Sequence, residues 1–272
     1  MERLKRAIRY FTPFEIALWV CSVVFICVAF GVFDRENVLT LTASLVGATS
    51  LIFTAKGNAV GQVLIVVFSV LYGVISYSYA YYGEMITYLG MSAPIAILAI
   101  IAWLRHPYAG RHSEVKVNKL KGREYIFLAA LAAAVTTAFW FILDALDTAN
   151  MIPSTVSVTT SFVAAYLTFR RSPFYALAYA ANDIVLIVLW VLASVDDITY
   201  ISMVICFVTF LVNDVYGFVN WSKMRKRQCE NACETAAHSQ EGEMQGCADD
   251  AQKAATHTKR TKKPPFPRTA VF

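Results

Sequence analysis

The chain has 272 residues, of which 57% are hydrophobic and only 16% charged, and its mean hydropathy is +0.52. A soluble domain carries about 25% charged residues, so that class is excluded, and the apolar runs are too long for barrel strands. The class is an all-α polytopic membrane protein. Its net charge of +5 resides in loops and tail and asks for no nucleic-acid partner.

The first predicted span covers residues 15–33 and is closed by Asp34, Arg35, Glu36 and Asn37. Arg3, Lys5, Arg6 and Arg9 precede it, but no small-residue cleavage site follows, so this run reads as a retained helix and not a signal peptide. The second span covers 38–55, the third 60–82 and the fourth 85–104. A basic loop with Arg105, Arg111, Lys116, Lys119, Lys121 and Arg123 leads to the fifth span, 125–143. The sixth covers 153–169, the seventh 174–194 and the eighth 200–221. Each is close to the roughly 20 residues that cross a bilayer.

Basic residues set the orientation, because cytoplasmic loops are enriched in Lys and Arg. The amino terminus, Lys56, the 105–123 loop, Arg170, Arg171 and residues 223–227 fall on one side. The other holds Arg35 against Asp34, Glu36, Glu84, Asp144, Asp147, Asp196 and Asp197. Eight spans with both termini cytoplasmic, in a multi-pass cell-membrane protein, satisfy the alternation throughout. Residues 222–272 are polar and mixed in charge and read as a disordered cytoplasmic tail.

The seventh and eighth spans carry the polar signal. Each holds an Asn-Asp pair, Asn182-Asp183 and Asn213-Asp214, in an otherwise apolar run. A carboxylate at such a depth costs roughly 2.5–3.5 kcal/mol on insertion scales, and residues of this kind face a cavity or a partner helix. The spans are antiparallel, and at 1.5 Å per residue both pairs lie about 12 Å from the same membrane face. This predicts a polar layer inside the bundle. Adjacent residues point about 100° apart on a helix, so one member of each pair is expected to face the pore and the other a neighbouring helix.

A shift of 118 residues places Thr42 on Thr160, Tyr72 on Trp190 and Trp103 on Trp221. Spans 2–4 then match spans 6–8 as two parallel triple-helix repeats, related by an axis along the membrane normal. The organisation expected is a basic cytoplasmic N-terminus (1–14) and an additional first helix (15–37), followed by repeat 1 (38–104). The cytoplasmic loop and linker helix (105–143) lead to repeat 2 (144–221) and the tail (222–272).

Three stretches carry a family resemblance: YYGEMITYLGMSAPIAILAIIAWLRHP (81–107), NDIVLIVLW (182–190) and FLVNDVYGFVNW (210–221). With their spacing and the repeat, the chain resembles the PnuC family of nicotinamide riboside transporters, long described as nicotinamide mononucleotide transporters. The resemblance covers residues 41–221. It implies a SWEET-like arrangement of three helices plus one plus three. It also implies facilitated uptake of nicotinamide riboside, trapped by a cytosolic kinase. Family members often carry a Trp four residues before the Asn of the seventh helix; here that position is Ala178, with Tyr179 beside it. Thiamine or another vitamin or nucleoside therefore stays open as the substrate.

The candidate substrate-binding residues are Asn182, Asp183, Asn213, Tyr72, Tyr179, Trp190, Tyr216, Gln62 and Ser69. The Asn amides either bind ligand or bond a neighbouring helix, which is worth roughly 0.6–2 kcal/mol. A flat aromatic cation is held by stacking, cation–π contact and a carboxylate. Trp103 and Trp221 read as interfacial anchors, and Tyr77, Tyr79, Tyr81 and Tyr82 as an outer aromatic belt.

Cys21, Cys27 and Cys206 read as small buried hydrophobes. Cys229, Cys233, Cys247 and His238 match no common zinc spacing, so no metal and no cofactor is expected. There is no phosphate-binding loop and nothing that supports an enzyme. The partners expected are a small vitamin or nucleoside, the bilayer and, in function, a cytosolic kinase, with a homo-oligomer left open. The rival to a transporter is a receptor or structural membrane protein.

Overall fold

The computed structural model describes the backbone of residues 10–78, 81–148 and 150–260, and the side chains of 10–78, 81–110, 113–148 and 150–234. The basic residues before Tyr10, Tyr79 of the expected belt, and the side chains of His238 and Cys247 lie outside these ranges.

Among the described residues, eight helices are long and apolar enough to cross a membrane. They are α1 (Pro13–Phe33), α2 (Val38–Ala55), α3 (Ala59–Ser78), α4 (Tyr82–Arg105), α5 (Gly122–Ala145), α6 (Met151–Phe169), α7 (Tyr175–Ser194) and α8 (Ile201–Arg260). Thr12 starts α1 with a capping box: its hydroxyl accepts from the Glu15 N–H while Glu15 accepts from the Thr12 N–H. Consecutive helices pack together, α2 with α3, α3 with α4, α5 with α6 and α6 with α7, and α4 also packs on α6.

The turn after α2 and the turn after α6 share one hydrogen-bond pattern. Gly57 and Arg171 both take a left-handed backbone, φ 69° and 59°. The next N–H, Asn58 or Ser172, donates back to Phe53 or Leu167. The carbonyl of Asn58 or Ser172 then starts the next helix by accepting from Gly61 or Tyr175. Glycine reaches this conformation without strain; Arg171 does so with its guanidinium tied to the Lys116 carbonyl.

Three features depart from the expectations. First, α4 contains a π-helical stretch, Thr87–Ser92, in which the Ala93 N–H donates to the Tyr88 carbonyl five residues back. Pro94 explains it, because proline has no N–H and its ring crowds the carbonyl four residues earlier, so the helix widens ahead of it. Second, the basic loop folds as an antiparallel ribbon of β1 (Pro107–Tyr108) and β2 (Arg111–Val115). Its turn residues Ala109 and Gly110 both have positive φ, 49° and 72°, as a two-residue hairpin demands.

Third, α8 does not end at Trp221. Its backbone stays helical through Arg260. Nucleating a helix is the costly step, and here the membrane span supplies the nucleus for a segment rich in Ala, Glu, Gln and Lys.

The helical body contains two separate hydrophobic clusters. One includes Ile26, Phe68, Tyr72, Trp190, Phe207 and Phe210. The other includes Trp103, Leu128, Phe162, Tyr175 and Trp221. Cys206 is buried as expected, whereas Cys21 and Cys27 lie exposed on α1. That face of α1 meets lipid, where a thiol is as acceptable as a methyl group.

Candidate functional site

A small polar cavity lies between the two clusters. Its walls come from six helices, α2, α3, α4, α6, α7 and α8. Asn182, Asp183 and Asp214 supply its polar face, with the hydroxyls of Ser50, Ser69, Ser92 and Ser161. Phe68, Tyr88, Tyr179, Phe207 and Phe210 supply rings. Its volume is ≈ 50 Å³, room for one or two waters at about 30 Å³ each. A nucleoside enters only when these rings move apart.

Asn182 is fixed from α6. Its Oδ1 accepts from Ser161 at 2.9 Å, Thr160 at 2.9 Å and Ser157 at 3.5 Å. These three hydroxyls hold the amide plane and leave its N–H₂ group to donate to a ligand. The arrangement follows from sequence: Ser157, Thr160 and Ser161 lie at i, i+3 and i+4, one face of α6. Asp183 of α7 and Asp214 of α8 both line the cavity. Asp183 Oδ2 and Ser69 Oγ are buried and have no hydrogen-bond partner among the described residues. A buried polar atom of this kind costs about 1–3 kcal/mol, which marks where a ligand's polar groups gain most.

The structure divides the expected site residues into three groups. Asn182, Asp183, Tyr179 and Ser69 line the cavity. Tyr72 and Trp190 lie one to two turns farther along α3 and α7, where the Trp190 indole N–H donates to the Tyr72 hydroxyl at 3.0 Å. Gln62, Asn213 and Tyr216 are bonded elsewhere. Gln62 donates to Thr54 at 3.3 Å. Asn213 donates to Ser22 of α1 at 2.9 Å and to the Thr209 carbonyl at 2.8 Å. Tyr216 donates to Glu15 at 2.8 Å, the carboxylate that also pairs with Lys56 at 2.9 Å.

Both members of the first Asn-Asp pair therefore face the cavity, while the second pair divides, Asp214 inward and Asn213 toward α1. Trp103 and Trp221 correct the sequence reading as well. They are buried, not interfacial, with their rings 5.4 Å apart. Each indole N–H bonds a carbonyl at the end of a helix from the other half of the chain, Thr168 and Thr54, both at 2.9 Å. Each carbonyl also accepts from the N–H of the turn that follows, Arg171 or Gly57, and its remaining lone pair gives the buried indole N–H the partner it needs. Tyr81 likewise leaves the expected belt and packs edge-on against Trp190.

Phe68, Tyr88, Phe207 and Phe210 were missed by sequence reasoning, as were the four serines other than Ser69 that approach the cavity or Asn182. Tyr88 and Ser92 reach the wall because the π-helical stretch turns them there. Gly47 gave no signal either: a Cβ at this position would lie 2.4 Å from the Phe210 ring, so its hydrogen is what lets that ring reach α2.

Two larger hollows, of ≈ 280 and ≈ 250 Å³, flank α1. Their walls are nearly all hydrocarbon, including Phe11, Ile16 and Phe53 in one and Phe25 and Val208 in the other. They offer a vitamin few bonds, so the smaller polar cavity is the candidate site.

A helical bundle that crosses the membrane eight times and encloses a polar, aromatic-walled cavity at its centre defines a carrier of small molecules. The chain belongs to the nicotinamide mononucleotide transporter family, whose model matches residues 37–223. It is 28% identical over 220 residues to the nicotinamide riboside transporter PnuC of Neisseria mucosa, covering 79% of this chain and 83% of that one. It is also similar to the crystal structure of the vitamin B3 transporter PnuC, at 27% identity with a TM-score of 0.71, over 80% of this chain and 94% of the other. The protein is thus a multi-pass membrane transporter for a small vitamin-type substrate, and the receptor and structural readings fall away.

Proposed function

We propose that this transporter carries nicotinamide riboside by facilitated diffusion. The observation that carries the reading is the Asp183–Asp214 carboxyl pair set among aromatic rings beside the fixed amide of Asn182. An ionised carboxyl group in this cavity presents a negative charge. That matches the single positive charge of a pyridinium nucleoside. Tyr88, Tyr179 and the phenylalanines can stack on its flat ring, and such cation–π contacts are worth about 2 kcal/mol or more when desolvated. The Asn182 N–H₂ and the serine hydroxyls suit a ribose or a carboxamide.

The organisation that goes with this reading is two triple-helix units, α2–α4 and α6–α8, joined by α5 and preceded by α1. The matching turns after α2 and α6 and the pairing of Tyr72 with Trp190 support it. Both termini lie in the cytoplasm, on the side of Lys56, Arg170 and Arg171. A cytosolic kinase traps the substrate by adding a phosphate whose charge the cavity does not accept. With Ala178 where relatives often carry Trp, thiamine or another vitamin or nucleoside stays open as a second reading; the thiazolium of thiamine is also a flat aromatic cation.

Vesicles containing the purified protein test this. Labelled nicotinamide riboside should equilibrate without a gradient, and a riboside kinase with ATP inside should turn equilibration into accumulation. Accumulation driven by a proton or sodium gradient alone would refute the mechanism. Uptake of thiamine without uptake of the riboside would move the substrate and keep the mechanism.

A further inference from the structure

The two ends of the cavity are closed by different aromatic assemblies, each made across the two halves of the chain. On α3 the cavity residues are Ile65, Phe68 and Ser69 and on α7 they are Tyr179, Asn182 and Asp183. Both helices start at the Lys56 end. Tyr72 and Trp190 lie farther along them, about 5–10 Å past the cavity at 1.5 Å per residue. Trp190 donates to Tyr72 at 3.0 Å and is packed by Tyr81 and Tyr200, with centroids 5.3 and 5.5 Å away. This assembly closes the cavity toward Asp196 and Asp197.

On α4 and α8, which run the other way, Trp103 and Trp221 lie past the cavity toward the Lys56 end. Trp221 is about 10 Å beyond Asp214 by the same rise. Tyr175 packs on Trp221 at 5.0 Å and the two indoles on each other at 5.4 Å. Here the closure is reciprocal: Trp103 bonds the last turn of α6 and Trp221 the last turn of α2. Both tryptophans are fully enclosed, at 2% and 0% exposure.

We propose that these assemblies are the two gates of the carrier: Tyr72–Trp190 at the Asp196 end and Trp103–Trp221 at the Lys56 end. Their opening in alternation exposes the cavity to one side at a time. This deepens the transport reading and rests on it. The gates differ in build. The first joins two side chains, the Trp190 indole N–H donating to the Tyr72 hydroxyl. The second is two bonds to backbone carbonyls exchanged between the halves, which part together when the halves separate.

The test places a reporter inside the cavity. Ser69→Cys in a protein with its six native cysteines replaced is labelled by a membrane-impermeant maleimide in right-side-out and in inverted vesicles. Tyr72→Phe removes one hydroxyl from the first gate and should raise labelling from the Asp196 face at least fivefold, the lower bound for losing one buried hydrogen bond. Trp103→Phe and Trp221→Phe each remove an indole N–H from the second gate and should raise labelling from the Lys56 face by a similar factor. Equal increases from both faces, or none, would overturn the proposal. Should a tryptophan variant fail to fold, Tyr72→Phe alone decides, because it keeps the ring and must act from one face. Labelling needs no substrate. Side-specific changes with no response to nicotinamide riboside would leave the gates standing and remove only the substrate.

Discussion

The two Asn-Asp pairs are the same dipeptide at the same depth on neighbouring antiparallel helices, yet the structure uses them differently. Asn182 and Asp183 both face the cavity, with Asn182 held by three hydroxyls from α6. Asp214 joins them, but Asn213 turns outward and bonds Ser22 of α1. The difference comes from the neighbours. α6 presents Ser157, Thr160 and Ser161 to α7 on one face, a ready set of hydroxyl donors for an amide oxygen. α8 has α1 against its other side, and that added helix offers a single serine. A polar residue in a membrane helix thus takes its role from what the next helix presents, and the dipeptide alone does not decide it.

The largest effect expected from breaking this contrast is at Asp183. Asp183→Asn removes the charge that answers a cationic ring, and affinity for nicotinamide riboside should fall upwards of roughly 150-fold, since losing a charged partner in a dry site costs upwards of about 3 kcal/mol. A neutral nucleoside analogue should be affected far less. Equal losses for both compounds, measured by isothermal titration, would mean that Asp183 shapes the cavity and does not read charge.

Next comes the wall beside it. Gly47→Ala would drive a methyl group into the Phe210 ring, 2.4 Å from the new carbon. Overpacking of this kind costs about 1–3 kcal/mol, so roughly a 5–150-fold loss in affinity should accompany a lower melting temperature. Unaltered binding would show that Phe210 moves freely away from α2.

A smaller effect belongs to the clamp at the Lys56 end. Glu15 is 1% exposed and accepts from both Lys56 and Tyr216. Tyr216→Phe leaves the ion pair and removes one bond, worth about 0.5–1.5 kcal/mol. Stability should fall by that amount with binding unchanged, which separates Tyr216 from the substrate residues. A clear loss of affinity would return it to the site.

Much of this molecule was legible in its sequence. The eight spans stood out because each is an unbroken apolar run bounded by charge. The polar layer was legible because Asn and Asp are expensive in such runs. Family membership followed from the motifs around Asn182 and Asn213. Other features needed the structure. Trp103 and Trp221 at helix ends look like interfacial anchors, and only the packing of the two halves shows that the carbonyls of Thr168 and Thr54 receive their N–H groups. The π-helical stretch before Pro94 and the continuation of α8 past Trp221 depend on how a proline or a preceding helix shifts a local balance. The outward turn of Asn213 depends on α1, which lies 191 residues away along the chain.

The central claim is that the cavity built on the first Asn-Asp pair is the substrate site, and matched amide deletions test it most directly. Nicotinamide riboside would be titrated into the purified wild type, Asn182→Ala and Asn213→Ala. Asn182→Ala should weaken binding by roughly 5–150-fold, from about 1–3 kcal/mol of lost hydrogen bonding. Asn213→Ala should stay within about twofold of wild type in affinity and lose about 0.6–2 kcal/mol of stability, the worth of an interhelical bond in a membrane. The reverse pattern, with binding lost in Asn213→Ala and kept in a folded Asn182→Ala, would contradict the account.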